Sequence, residues 1–424
     1  MMEKTFYPQL GETLYHTVLP NGLTVFVNRR HDFSRKLAYF ITDFGSIHQD
    51  FTLDGKKVSV PAGIAHFLEH KMFDLPDRDV TAEFAALGAS PNAFTSYDVT
   101  AYYFSCTENF DSCLRLLLEF VSTPYFTAES VAKEQGIIGQ EIGMHDDNPD
   151  TRSFELLMEG MYENHPIRVP ILGSRESIGT ITPELLYDCH KAFYRPGNMM
   201  LCVVGDVDPE QVAALAAQML PKEDRTQVTR QEQWPESTVP QTAFREARMD
   251  VAMPMFQLGF KCEPLGLGEE AIFQETVGEL AAEALFGESS PLYLHLYEEG
   301  VIDGSFGGGF ETVDNMAALL LGGDSEDPQQ VLEAVLTQAE EIVKNGLEEA
   351  DFLRMKRSAL GRRIRDLDSF DGTCFRLCAY HFSGFDYFRS PELYRQVEIS
   401  HIQEFLARVV TRQRASLTVI RPST

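Results

Sequence analysis

The chain has 424 residues, enough for roughly two to four compact domains with sizeable cores. Its apolar share of 44% and charged share of 24% are ordinary for a globular protein. The net charge of −28 argues against nucleic-acid binding through phosphates and against an anionic membrane surface, and it reads as a solvated acidic exterior. Met1 to Tyr7 lacks a charged segment followed by an apolar run, so no signal peptide is expected. No apolar stretch is long enough to span a bilayer. The seven cysteines are odd in number and scattered in apolar contexts, which suits buried free thiols in a reducing cytoplasm. Cys374 and Cys378 share a helix face but have no second ligand pair nearby, so no metal role is expected of them.

Residues 13–29 read as two short strands around the turn Pro20-Asn21-Gly22, and Leu37 to Thr42 as another strand. Then comes His66-Phe67-Leu68-Glu69-His70, introduced by Pro61 and Gly63. No Gly or Pro interrupts it, and its apolar residues recur at helical spacing. On a helix, His66 and His70 lie on one face, about 6 Å apart along the axis. Two neutral imidazoles so placed can converge on one zinc ion, and Glu69 beside them can take a proton from water. The order H-x-x-E-H is the reverse of the H-E-x-x-H zinc motif. Two chance histidines on a polar helix face are the bland alternative, so the motif needs supporting context.

Thr81 to Leu87 reads as a short helix ended by Gly88, Val99 to Ser105 as a strand, and Phe110 to Val121 as an amphipathic helix. The helix Ala128 to Met144 carries Glu134 and Glu141 seven residues apart, on one face but about 10 Å apart along the axis. At most one of them can reach an ion held by His66 and His70; the other can orient a ligand. Residues 152–163 and 183–194 read as helices, Met199 to Asp206 as a buried strand, and Pro209 to Leu220 as a helix. From Pro221 to Thr242 the chain is polar and without helical period, and reads as a linker. The second half repeats the plan without the motif. Phe244 to Lys261 alternates like a strand pair, and Gly268 to Phe286 is a helix without histidine. The Gly-rich stretch Ile302 to Glu311 lacks the lysine and helix start of a phosphate loop and reads as a tight strand or turn. Met316 to Gly323, Pro328 to Lys344, Ala350 to Arg365, His401 to Val410 and Leu417 to Arg421 complete a weak, diverged repeat.

These residues resemble the zinc metallopeptidases of the pitrilysin, insulysin and mitochondrial processing peptidase family. Five blocks carry the resemblance: Leu19 to Leu23; Gly63 to His70; Asn92 to Ser96 with Tyr102; Glu134 with Gln140-Glu141; and Phe193 to Met199 followed by Val203 to Asp206. The likeness is greatest to the short bacterial, paired-subunit type. It implies an α+β fold of two homologous domains, each a mostly antiparallel sheet with helices packed on one face. The expected division is residues 1–220, a linker at 221–242, and an inactive domain at 243–424. The resemblance makes His66, His70 and Glu141 the ligands of Zn2+, Glu69 the general base and Glu134 a supporting carboxylate. It makes Asn92 and Ala93 part of an edge strand that holds peptide substrates as an added strand.

One departure is informative. Catalytic members also use an Arg and a Tyr seven residues apart in the second half. Here Leu294 and Val301 stand at those positions, and no arginine occurs between Arg248 and Arg354. The resemblance therefore implies a zinc-bearing endopeptidase subunit, with a homologous partner supplying the Arg/Tyr pair in a heterodimer; a homodimer in isolation stays open. The alternative is a non-catalytic, partner-holding subunit of the same fold.

Overall fold

The structure, a computed structural model, describes residues 1–76 and 78–423. It is α+β, with two sheet-containing halves. The first sheet has the spatial order Glu3–Tyr7, Glu12–Val18, Thr24–Arg29, Met199–Gly205, Lys36–Thr42, Thr100–Cys106, Ser90–Thr95. Its pairings are antiparallel except that of Met199–Gly205 with Thr24–Arg29. The second sheet has the order Phe244–Met249, Ala415–Pro422, Met255–Lys261, Met316–Asp324, Gly307–Val313. Again one pairing is parallel, Phe244–Met249 with Ala415–Pro422. The two sheets thus repeat one plan, and their outer strands Ser90–Thr95 and Gly307–Val313 occupy matching edges. The Gly-rich stretch supplies the second of these edges. The two strands of the Phe244 to Lys261 segment do not pair with each other, because Ala415–Pro422 lies between them.

Each sheet is buried on both faces, from different sources. One face of the first sheet, with Val25, Val27, Phe40, Phe104 and Leu201, packs against helices of its own half. The opposite face, with Leu37, Tyr39, Ile41, Met200 and Val204, is covered by Phe370, Cys374, Leu377 and Cys378. These belong to helix Phe370–Phe382 of the second half. The exchange is mutual. Helix Pro149–Met161 of the first half sets Leu157, Met158 and Met161 against Met316, Ala318 and Leu320 of the second sheet. Gly259 makes room for it, since a Cβ there would lie 2.4 Å from Met161 Sδ. Because each half buries apolar area that belongs to the other, neither core is complete alone.

The segment from Pro221 to Thr242 is more than a tether. Its strand Val228–Arg230 joins the hairpin Asp50–Leu53 and Lys56–Ser59. Its Glu236 accepts the backbone N–H groups of Glu163 and His165 and pairs with buried Lys261 at 2.6 Å. All seven cysteines are free and buried, and Cys374 and Cys378 join no metal-holding group among the described residues. No helix among those residues is long and apolar enough to cross a membrane.

Two buried histidines outside the motif give the fold a defined acid response. His190 Nε2 lies 3.0 Å from the Val121 carbonyl oxygen, and His165 packs against Trp234. Burial lowers the pKa of each from the ordinary 6.5 to about 4. Between those values the unfolded chain binds protons that the fold refuses. This contribution to stability is therefore full above about pH 6.5 and is lost as pH falls towards 4. His190→Gln keeps a donor for Val121 and removes one such proton. In urea titrations between about pH 7 and pH 5, its stability is expected to fall less steeply than wild type, by on the order of 1 kcal/mol per pH unit at most. An unchanged slope contradicts a neutral buried imidazole at position 190.

Candidate active site

Helix Ile64–Met72 starts at Gly63, which sits in the left-handed region at φ 91°. A Cβ at that position would lie 2.4 Å from the Leu172 carbonyl oxygen, so only glycine permits this entry. Ala65, Phe67, Leu68 and Met72 are buried in the core of the first half. His66, Glu69 and His70 lie where this helix meets strand Ser90–Thr95 and helix Ala128–Asp146. The second helix begins with a capping box between Thr127 and Ser130, which fixes its register.

That register puts the two glutamates at different depths. Glu141 faces both histidines: its Oε1 is 3.5 Å from His66 Nε2 and its Oε2 is 3.8 Å from His70 Nε2. Glu134 lies behind His70, with Oε1 3.0 Å from Nδ1. Ligating atoms of His66, His70 and Glu141 all lie within 4.8 Å of one another, the one such group among the described residues. Glu69 is outside this group. Its Oε2 accepts a 2.8 Å hydrogen bond from Thr95 Oγ1 on the edge strand.

The electrostatics separate the carboxylates. Burial pushes the Glu69 carboxyl above the usual range, while the Thr95 hydrogen bond and the two histidines oppose that rise. The hydrogen bond to His66 holds Glu141 below the usual range, against the effect of burial. Burial opposes a charge on His70, but the Glu134 hydrogen bond and the surrounding carboxylates outweigh it and raise its pKa. Among the described residues His66 Nδ1 is buried without a hydrogen-bond partner.

The group opens into a cavity of about 690 Å³. Asn92 and Ala93 line it from the edge strand, together with Ile142, His145, Phe154 and the loop Pro170 to Gly173. Glu134 stands outside this lining, behind His70. The structure thus brings His66, Glu69, His70, Asn92, Ala93, Glu134 and Glu141 together. Thr95 and the Pro170 to Gly173 wall were not singled out. Thr95 lies inside a quoted block, yet only a distance reveals its bond to Glu69.

Residues 59–175, which include every candidate site residue, match Insulinase (Peptidase family M16), and residues 180–359 match Peptidase M16 inactive domain. A Bacillus subtilis protein named Uncharacterized zinc protease YmfH is 38% identical over 431 residues, spanning 100% of both chains. The chain belongs to peptidase family M16. An M16-like peptidase structure from Alicyclobacillus acidocaldarius superimposes with a TM-score of 0.92 at 31% identity, covering 97% of this chain and 99% of that one. The periplasmic protease PqqL from Escherichia coli shares the fold, with a TM-score of 0.72 at 19% identity. That match covers 96% of this M16 chain and 47% of PqqL.

The Gly63 entry can be tested directly. Gly63→Ala is expected to destabilise the fold by about 1–3 kcal/mol, through a strained φ and a clash with the Leu172 carbonyl. Denaturant midpoints equal to wild type contradict a requirement for glycine.

Proposed function

We propose that this chain is the zinc-bearing subunit of an endopeptidase that hydrolyses short or unfolded peptides. The observation that carries this reading is the convergence of His66, His70 and Glu141 beside a separately held carboxylate, Glu69. Two imidazoles and one carboxylate are a zinc donor set that leaves a position open for chemistry. Glu134 fits the same reading, because a carboxylate behind a ligating histidine fixes its tautomer and leaves Nε2 free. His66, His70 and Glu141 hold the ion, which supplies a Lewis acid that polarises water and the peptide carbonyl. Glu69 takes the proton of the attacking water and returns it to the departing amine. The raised pKa of Glu69 suits a group that must both accept and release a proton.

The edge strand Ser90–Thr95 holds the peptide as an added strand. Asn92 Oδ1 now accepts the Ala93 N–H at 2.9 Å, and an incoming carbonyl takes its place. Such pairing reads backbone rather than side chains, hence the preference for extended peptides. We assign the zinc-bearing part to residues 1–220 and the inactive part to 243–424. Leu294, half-exposed on helix Pro291–Glu298, and Val301 leave the second half without the Arg/Tyr pair that the resemblance implies. A homologous partner subunit supplies that pair in a heterodimer. The chain's 47% coverage of PqqL supports this reading, since that protease has room for a second such unit. The seven free thiols support a reducing, cytoplasmic setting. The same Leu294 and Val301 favour a second reading, a subunit that keeps the fold and holds a partner without catalysis.

Metal analysis and cleavage assays on one variant set separate the two. The purified chain is expected to carry about one zinc, lost in Glu141→Gln and His70→Ala, with affinity weakened about 10–100-fold in Glu134→Gln. Glu69→Gln is expected to keep the zinc and abolish cleavage of unstructured peptides in the presence of the partner. A wild-type chain that binds no zinc, or a Glu69→Gln variant that cleaves normally, contradicts the peptidase reading.

A further inference from the structure

We propose that Thr95 is a positioning residue for Glu69, and that it joins the peptide-binding edge strand to the base. The inference rests on the peptidase reading above. Thr95 is the last residue of strand Ser90–Thr95, so it belongs to the element on which a peptide docks. Its hydroxyl lies 2.8 Å from Glu69 Oε2. A hydroxyl has one proton to donate, and the neighbouring hydroxyl has committed its own. Thr100 Oγ1 donates to the Phe44 carbonyl at 2.8 Å and stands 3.5 Å from Thr95 Oγ1. The Thr95 proton therefore goes to Glu69. Among the described residues Thr95 is the one hydrogen-bond donor that the Glu69 carboxylate has.

The end of the strand is braced, so this donor has a fixed place. Behind it runs the loop from Asp43 to Gln49. Ser46 N–H donates to the Ser96 carbonyl at 3.1 Å, and Ile47 N–H donates to the Tyr97 carbonyl at 3.0 Å. The contact is backbone to backbone: a Cβ on Gly45 would lie 2.5 Å from Tyr97 and Asp98. The second half secures the loop in turn. His48 Nδ1 accepts the Gly45 N–H at 2.9 Å, which leaves Nε2–H facing Asp314 Oδ2 at 3.5 Å. Asp314 sits in the turn between strands Gly307–Val313 and Met316–Asp324, at positive φ. The half without a zinc motif thus props the strand end that holds the base. A peptide added to the strand loads the same strand end, so docking and alignment of Glu69 are mechanically linked.

The test compares Thr95→Val, which keeps the shape and removes the hydroxyl, with Thr95→Ser, which keeps the hydroxyl and removes a methyl. With zinc and the partner present, Thr95→Val is expected to keep its zinc and a KM within about twofold of wild type, while kcat falls about 10–100-fold. Thr95→Ser is expected to restore most of kcat. A crystal structure of metal-free Thr95→Val is expected to show the Glu69 carboxylate displaced from its wild-type position. Wild-type kcat in Thr95→Val, equal losses in both variants, or an unmoved Glu69 overturns the proposal. Absence of zinc and cleavage in the wild-type chain itself defeats the peptidase reading instead, and the position of Glu69 in the metal-free variant then still decides whether Thr95 holds it.

Discussion

The packing of helix Ala128–Asp146 against helix Ile64–Met72 is the contact on which the site depends. Two histidines one turn apart are an incomplete donor set for zinc, however well the helix is formed. Glu141 faces both imidazoles only because the long helix is held in one register along the short one. A shift of one turn, about 5.4 Å, separates it from both imidazoles. The pairing of Glu134 with His70 ties the two helices in that register, and the capping box at Thr127 sets where the long helix begins. The same contact sorts the carboxylates by position. Glu141 faces the imidazole nitrogens, Glu134 backs one of them, and Glu69 is turned aside to Thr95.

The second constraint is the exchange of helices between the halves. Helix Phe370–Phe382 completes the core of the first sheet, and helix Pro149–Met161 completes the second. The halves are therefore fixed relative to each other by apolar burial rather than by the polar segment that connects them. That segment adds specific ties at Val228–Arg230 and at Glu236 with Lys261. The second half also reaches the first through its Asp314 turn, which meets the loop behind strand Ser90–Thr95.

Much of this was legible from the residues. The motif helix and the repeat of sheet and helix follow from periodicity and spacing, while the choice of Glu141 over Glu134 comes only from the family resemblance. Periodicity reports that a segment buries one face; it does not report what covers that face. The helix exchange was invisible for that reason: Leu377 and Met158 look like ordinary core residues of their own halves. The strand Val228–Arg230 has only three residues in a polar segment, too short to show alternation. Phe244 to Lys261 alternates like a pair of neighbouring strands, the usual outcome for segments adjacent in sequence, whereas Ala415–Pro422 intervenes. Thr95 reads as a strand residue by type, and only its 2.8 Å approach to Glu69 marks it as part of the site.

The central claim is that His66, His70 and Glu141 form one zinc centre. X-ray absorption at the zinc edge of the zinc-loaded protein tests this most directly. The account predicts a first shell of nitrogen and oxygen at about 2.0–2.2 Å, with imidazole scattering from two histidines. Glu141→Gln should alter that shell and Glu69→Gln should leave it intact. Sulfur at about 2.3 Å, or a shell that ignores the Glu141 substitution, would contradict the account.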